Sequence, residues 1–171
     1  MTLKRDLEEW DGKSSGDIRR IYAQYVDQAS FSSNLIKLMK NVNTQKGATW
    51  LLKHYIENDN TLKQSQSNAV LNIADKLEAW ESKLHLLQSL PYISISKFRK
   101  ETVEHFIRAC LTEKNKFVRA WAYNSFYLLA KQYPEYEHEM ELFLEMAMRD
   151  EAPSVKARIR NILKKTNKAV K

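Results

Sequence analysis

The placement of glycine and proline leaves this chain few folds to choose from. Only three of each occur in 171 residues. Gly12, Gly16 and Gly47 all fall in the first third, and Pro91, Pro134 and Pro153 each stand where an apolar helical pattern stops or starts. From Thr49 onward the chain therefore lacks the glycine turns that hairpins and phosphate-cradling loops need. The apolar residues agree with an all-α reading: Phe106, Cys110 and Leu111, then Val118, Ala122, Phe126 and Leu129, recur at the three-and-four spacing of a helix face.

This spacing predicts nine helices, at 15–28, 30–41, 44–58, 64–77, 79–90, 95–112, 115–132, 136–149 and 153–166. Ser14 or Ser15, Asn43, Ser94 and Asn115 are the expected N-terminal caps, because a short polar side chain can accept from the unpaired amides of a first turn. Pro91 and Pro134 end helices, whereas Pro153 suits the first turn of the last one. Connections this short make successive helices antiparallel neighbours.

A period then emerges. Phe117–Ala122 (FVRAWA) aligns with Ser154–Ile159 (SVKARI), so that Val118, Arg119 and Ala120 match Val155, Lys156 and Ala157, and 155 − 118 = 37. A further step of 37 sets Trp80 opposite Phe117 and Leu84 opposite Trp121, with Ser82 in the basic position. Paired helices at a fixed period of this length mean a solenoid rather than a bundle. The pairs are 30–58, 62–90, 95–132 and 136–166, with the helix at 15–28 as an amino-terminal cap.

Asn115, Val118, Arg119 and Ala122 resemble the second-helix signature of HEAT repeats, an Asp or Asn followed by Val-Arg and then a small residue. The motif is recognisable over 95–166, where it is similar to small HEAT-repeat proteins of bacterial type. The last repeat departs from it, with Ala152 at the capping position and Ile159 at the small one. The resemblance implies a right-handed, armadillo-like α-solenoid of about four antiparallel helix pairs plus the amino-terminal helix. The expected organisation is a flexible segment at 1–14, a single repeat domain at 15–166 and a basic tail at 167–171.

The net charge of +7 is local. Lys156, Arg158, Arg160, Lys164, Lys165, Lys168 and Lys171 stand in the last 17 residues without an acid, which leaves 28 − 7 = 21 basic residues against 21 acidic ones elsewhere. Just before them, Glu135, Glu137, Glu139, Glu141, Glu145, Asp150 and Glu151 face Arg149 alone. Such an arrangement either caps the solenoid with solvated charge, partly paired between the last two helices, or forms an anion-binding patch.

HEAT-like solenoids line their concave face with second helices. The resemblance thus implies a partner-binding ridge of Arg119, Tyr123, Lys156 and Arg160, since residues four apart share a helix face. The leading expectation is an acidic segment of a protein partner. Nucleic acid bound through the same groove and tail is the alternative. Arg119 has a competing architectural role, bridging to a neighbouring repeat. Trp121, Phe126, Tyr127, Trp50 and Trp80 are expected in the core.

Nothing catalytic stands out. His54, His85, His105 and His138 are scattered, Cys110 is the only cysteine and sits in an apolar pattern, and no phosphate loop, nucleophile elbow or dinucleotide fingerprint occurs. No cofactor and no metal are expected. A distant similarity to HEAT-like DNA alkylpurine glycosylases would require a groove carboxylate, and the helices at 115–132 and 153–166 contain no acid. The reading is a non-enzymatic binding module. Without a secretory signal or a membrane span, its expected location is the cytoplasm.

Overall fold

In the computed structural model, which describes the backbone of residues 2–169 and the side chains of 2–165, the fold is an all-α solenoid of helix pairs. Its helices are α1 (Leu3–Glu9), α2 (Ser15–Tyr25), α3 (Phe31–Leu38), α4 (Val42–Glu57), α5 (Gln64–Leu71), α6 (Trp80–Ser89), α7 (Lys100–Leu111), α8 (Lys116–Gln132), α9 (Glu137–Asp150) and α10 (Pro153–Ala169). The chain divides into two compact units, Met1–Thr102 and Val103–Lys171, with the boundary inside α7.

In the first unit α3 packs on α4, α3 on α5 and α4 on α6, so the second helices of successive pairs stack directly. In the second unit α8 contacts both α9 and α10. The repeat register follows from burial. The third residue of each second helix, namely Thr44, Ser82, Val118 and Val155, is fully buried at 0% exposure. These residues are spaced 82 − 44 = 38, 118 − 82 = 36 and 155 − 118 = 37. Ser82 therefore occupies the inward position and not the basic one. One residue later stand Gln45, Lys83, Arg119 and Lys156. A strict period of 37 misplaces the α6 repeat by one residue because the connections differ in length.

The segment 1–14, expected to be flexible, instead carries α1, whose Leu3 and Leu7 are buried. Its order has local causes. Thr2 Oγ1 accepts from the Arg5 amide at 3.4 Å, and the Asp11 carboxylate accepts from the Lys13 and Ser14 amides at 2.8 Å each. Gly12 supplies the left-handed backbone (φ +72°) that this turn needs. Trp10 Nε1 donates to the Ser14 carbonyl at 2.9 Å, and Ser14 caps α2. Tyr25 OH donates to the buried Asp6 carboxylate at 2.7 Å, which pushes the phenol up to about 12.

Other boundaries also shift. α4 is capped by Asn41, whose Oδ1 accepts from the Asn43 amide at 2.9 Å, so the expected cap Asn43 lies inside the helix. The helix expected from 95 begins at Lys100, after a 3₁₀ turn over Lys97–Arg99. Asn115 caps α8 as expected, accepting from Phe117 and Val118. Phe126 is core at 1% exposure, while Trp121 and Tyr127 are half-buried. Trp50 is half-buried too, stacked on His54 at 4.9 Å between ring centroids. Trp80, expected in the core, is 41% exposed, because it is the first residue of α6 and the inward face is taken by Ser82, Leu86 and Ser89.

Two expectations test this packing. α1 rests on Gly47 of α4, where a β-carbon would approach Leu7 Cδ2 to 2.7 Å. Gly47→Ala gains about 1 kcal/mol of helix propensity against an overpacking cost of roughly 1–3 kcal/mol, so a small net destabilisation is expected. Hydrogen exchange should report it as faster amide exchange over residues 3–10.

The second expectation concerns His85 between α4 and α6, with Nδ1 at 3.1 Å from Thr49 Oγ1. Burial pushes its imidazole down to about 4, with Lys53 and Lys46 adding to the shift and Glu81 opposing it. Between that value and the ordinary 6.5 the unfolded chain binds more protons than the folded one, so stability falls as pH falls. Denaturant titrations should show a loss on the order of 3 kcal/mol between pH 7 and 4 that His85→Gln reduces.

Candidate functional site

The candidate residues lie on α8 and α10 in the second unit. α8 forms because Asn115 satisfies two first-turn amides and because Val118, Ala122, Phe126 and Leu129 make a continuous buried stripe. This turns the fourth residue, Arg119, toward both neighbouring connections. Arg119 Nε and Nη2 donate to Glu151 Oε1 and Oε2 at 2.8 and 3.0 Å, a bidentate pair. Its Nη1 donates to the carbonyls of Glu113 and Lys114 at 2.8 and 2.9 Å, which follow the end of α7. Arg119 thus joins three consecutive segments, the bridging role that competed with ligand binding. Its hydrogen bond to Glu151 raises the pKa of the guanidinium.

Gln45 does the same without charge. At the equivalent position of α4, its Nε2 donates to the Met39 carbonyl at 3.1 Å, six residues back, as Arg119 reaches Glu113 six residues back. It also donates to the Lys76 carbonyl at 3.1 Å and accepts from the Glu78 amide at 2.9 Å. Lys156 keeps only the backward half, donating from Nζ to the Arg149 carbonyl at 3.0 Å. Sequence reading missed Gln45 because glutamine does not look like a cation. What unites these residues is their place in the helix and their donor groups, and not their charge.

Arg119 and Tyr123 line an open cavity of about 340 Å³ with Met146, Ala147, Asp150 and Glu151. Lys156 and Arg160 are not part of that wall. The phenol of Tyr123 is pushed up first by burial, then by Glu151 and Asp150, with Arg119 opposing. The cavity is therefore walled by two carboxylates, of which one is already paired with the arginine.

The charges of α9 and α10 are arranged differently from expectation. No acid of α9 pairs with α10 among the described residues. Glu139 binds Arg108 of α7 at 2.7 Å, and Glu151, just beyond α9, binds Arg119 of α8. Arg108 also holds Glu104 at 2.9 Å, and Tyr136 OH donates to Glu104 at 2.5 Å. On α10, Arg158 lies over the Trp121 ring at 4.1 Å to the centroid, an interaction between residues 158 − 121 = 37 apart that the period could have revealed. Arg160, Lys164 and Lys165 are exposed, and none of the five described cations of α10 forms an ion pair. The side chains of Lys168 and Lys171 lie outside the described residues.

Among the described residues no group of three His, Cys, Asp or Glu side chains could hold a metal ion, and no helix is long and apolar enough to cross a membrane. A family model described as a HEAT repeat domain matches residues 6–166. No curated protein and no solved structure matches the chain.

A double-mutant cycle tests the bridging role of Arg119. Arg119→Ala strands a largely buried carboxylate and two carbonyls and should cost about 2–4 kcal/mol, whereas Lys156→Ala should cost under about 1 kcal/mol. Arg119→Ala combined with Glu151→Ala should be destabilised by clearly less than the sum of the single changes in urea denaturation.

Proposed function

As a member of the HEAT repeat family, this chain is an interaction scaffold, and we propose that it uses the exposed face of α10 to bind an acidic segment of a protein partner. One observation carries this reading. α10 displays five cations and no acid over 153–165, and the acids of the preceding helix are either paired elsewhere or left facing solvent. Unpaired like charges on one helix repel each other, and a carboxylate-bearing ligand relieves that repulsion while being steered to the site. HEAT repeat proteins are generally non-enzymatic, and this reading assigns the chain no reaction, no cofactor and a cytoplasmic setting.

Within the four-residue ridge the roles divide. Arg160 is the exposed, unpaired contact residue, and Lys156 can turn from the Arg149 carbonyl toward a ligand at the cost of one exposed hydrogen bond. Arg119 and Tyr123 offer the partner a formed wall beside Met146, with the arginine held in place by Glu151.

Nucleic acid is the competing anion, and salt dependence separates the two. Titration of a labelled oligoglutamate peptide and of a random 20-base-pair duplex, each at low and physiological salt, is the direct measurement. Arg160→Glu combined with Lys164→Glu should weaken peptide binding by roughly tenfold or more without moving the unfolding midpoint. Micromolar duplex binding with a steep salt slope, and no peptide binding, would replace this reading by the nucleic-acid one.

A further inference from the structure

The connection from α6 into α7 shows its largest apolar group to solvent although it is firmly held. Phe98 is 78% exposed and Tyr92 62%, more than any other large apolar side chain among the described residues. A single exposed aromatic is ordinary. Phe98 differs because polar side chains fix the loop that presents it. Gln64, Asn68 and Asn72 follow one another at four-residue steps along and just past α5. Gln64 Nε2 donates to the Ser94 carbonyl at 3.4 Å, Ser96 Oγ donates to Asn68 Oδ1 at 2.9 Å, and Arg99 Nη1 donates to Asn72 Oδ1 at 2.7 Å. The buried Ile93 and Ile95 anchor the same stretch on the core. Phe98 is thereby denied the core and held outward.

The loop itself carries only positive charge, and the nearest acid in sequence is the exposed Glu101 in the first turn of α7. From Pro91 to Lys100 there is no acid, and Lys97 is exposed. The Arg99 guanidinium lies over the Phe98 ring at 4.7 Å from its centroid, and neither its Nε nor its Nη2 has an acceptor among the described residues. An aromatic ring and a guanidinium fixed beside each other before any ligand arrives form the kind of pair that dominates protein interfaces, because little entropy is lost on binding.

We propose that residues 92–99 are a docking point for a short acidic peptide segment with an apolar anchor. The anchor side chain packs on the open part of the Phe98 ring, and adjacent carboxylates pair with Lys97 and with Nη2 of Arg99, whose planar geometry suits a carboxylate. A nucleic-acid strand would call for cations tracking a longer backbone and several stacking platforms, which one loop does not supply. The site lies in the first unit and does not depend on the α10 reading.

The test is an amide-shift titration of the labelled full chain with the blocked hexapeptide Glu-Glu-Leu-Phe-Glu-Glu, and in parallel with an oligothymidine. Shifts at Tyr92 and over residues 97–100 with Kd below about 1 mM are expected, and these should persist in the Arg160→Glu, Lys164→Glu protein. Phe98→Ala should weaken the peptide by roughly fivefold or more with an unchanged unfolding midpoint, and Asn72→Ala, which keeps the ring but frees the loop that presents it, should weaken it too. Shifts confined to α10 would support only the α10 reading and overturn this one. It is equally overturned by undiminished affinity in Phe98→Ala, by tighter binding of the oligothymidine, or by no response to the peptide at about 5 mM.

Discussion

Every helix that ends in a short connection leaves carbonyls without intrahelical donors, and in a stack of helix pairs those carbonyls are partly covered by the next element. The chain answers this with a long polar side chain from the fourth residue of a second helix. Arg119 and Gln45 each reach six residues back to the end of the preceding helix and about thirty forward to the next connection. One side chain thereby fixes the turn inside a pair and the spacing between pairs. The buried stripe supplies most of the hydrophobic stabilisation, but such a stripe alone would tolerate sliding, since apolar contact has no direction. At Gln45 and Arg119 the directional bonds reinforce the register that burial of the preceding residue marks.

Charge is secondary in this scheme, which changes how the acidic and basic helices should be viewed. Glu139 and Glu151 are bound to arginines of α7 and α8, so they belong to the architecture of the second unit. The cations of α10 have no such task, apart from Lys156 on a carbonyl and Arg158 on an indole. What remains on α10 after packing and bridging is Arg160, Lys164 and Lys165, all exposed and without an ion pair among the described residues.

Much of the fold was legible because helices with few glycines and prolines announce their own ends. Pro153 opens α10, Asn115 caps α8, and the inward stripe of α8 falls on the expected residues. The family relationship was visible in Asn115, which caps α8, and in three residues of the helix, Val118, Arg119 and Ala122. What stayed hidden was set by tertiary context. Two leucines in seven residues did not reveal that α1 would dock on Gly47, and the repeat offset at Ser82 depended on loop length rather than side-chain type. The candidate ridge was readable as helix spacing, but whether Arg119 faced a ligand or a neighbouring repeat turned on Glu151, thirty-two residues away. Phe98 was unreadable for a similar reason, since its exposure is imposed by asparagines from another helix.

The forward half of the bridge gives the end of the chain an unexpected importance. Glu151 sits in the connection that leads into α10, and Val155, Ile159 and Ile162 of α10 supply the wall against which α8 closes. α10 is thus part of the packing that completes α8. Displacing α10 would therefore disturb both the buried face of α8 and the connection that carries Glu151, so the packing of the last helix and the Arg119–Glu151 pair depend on each other.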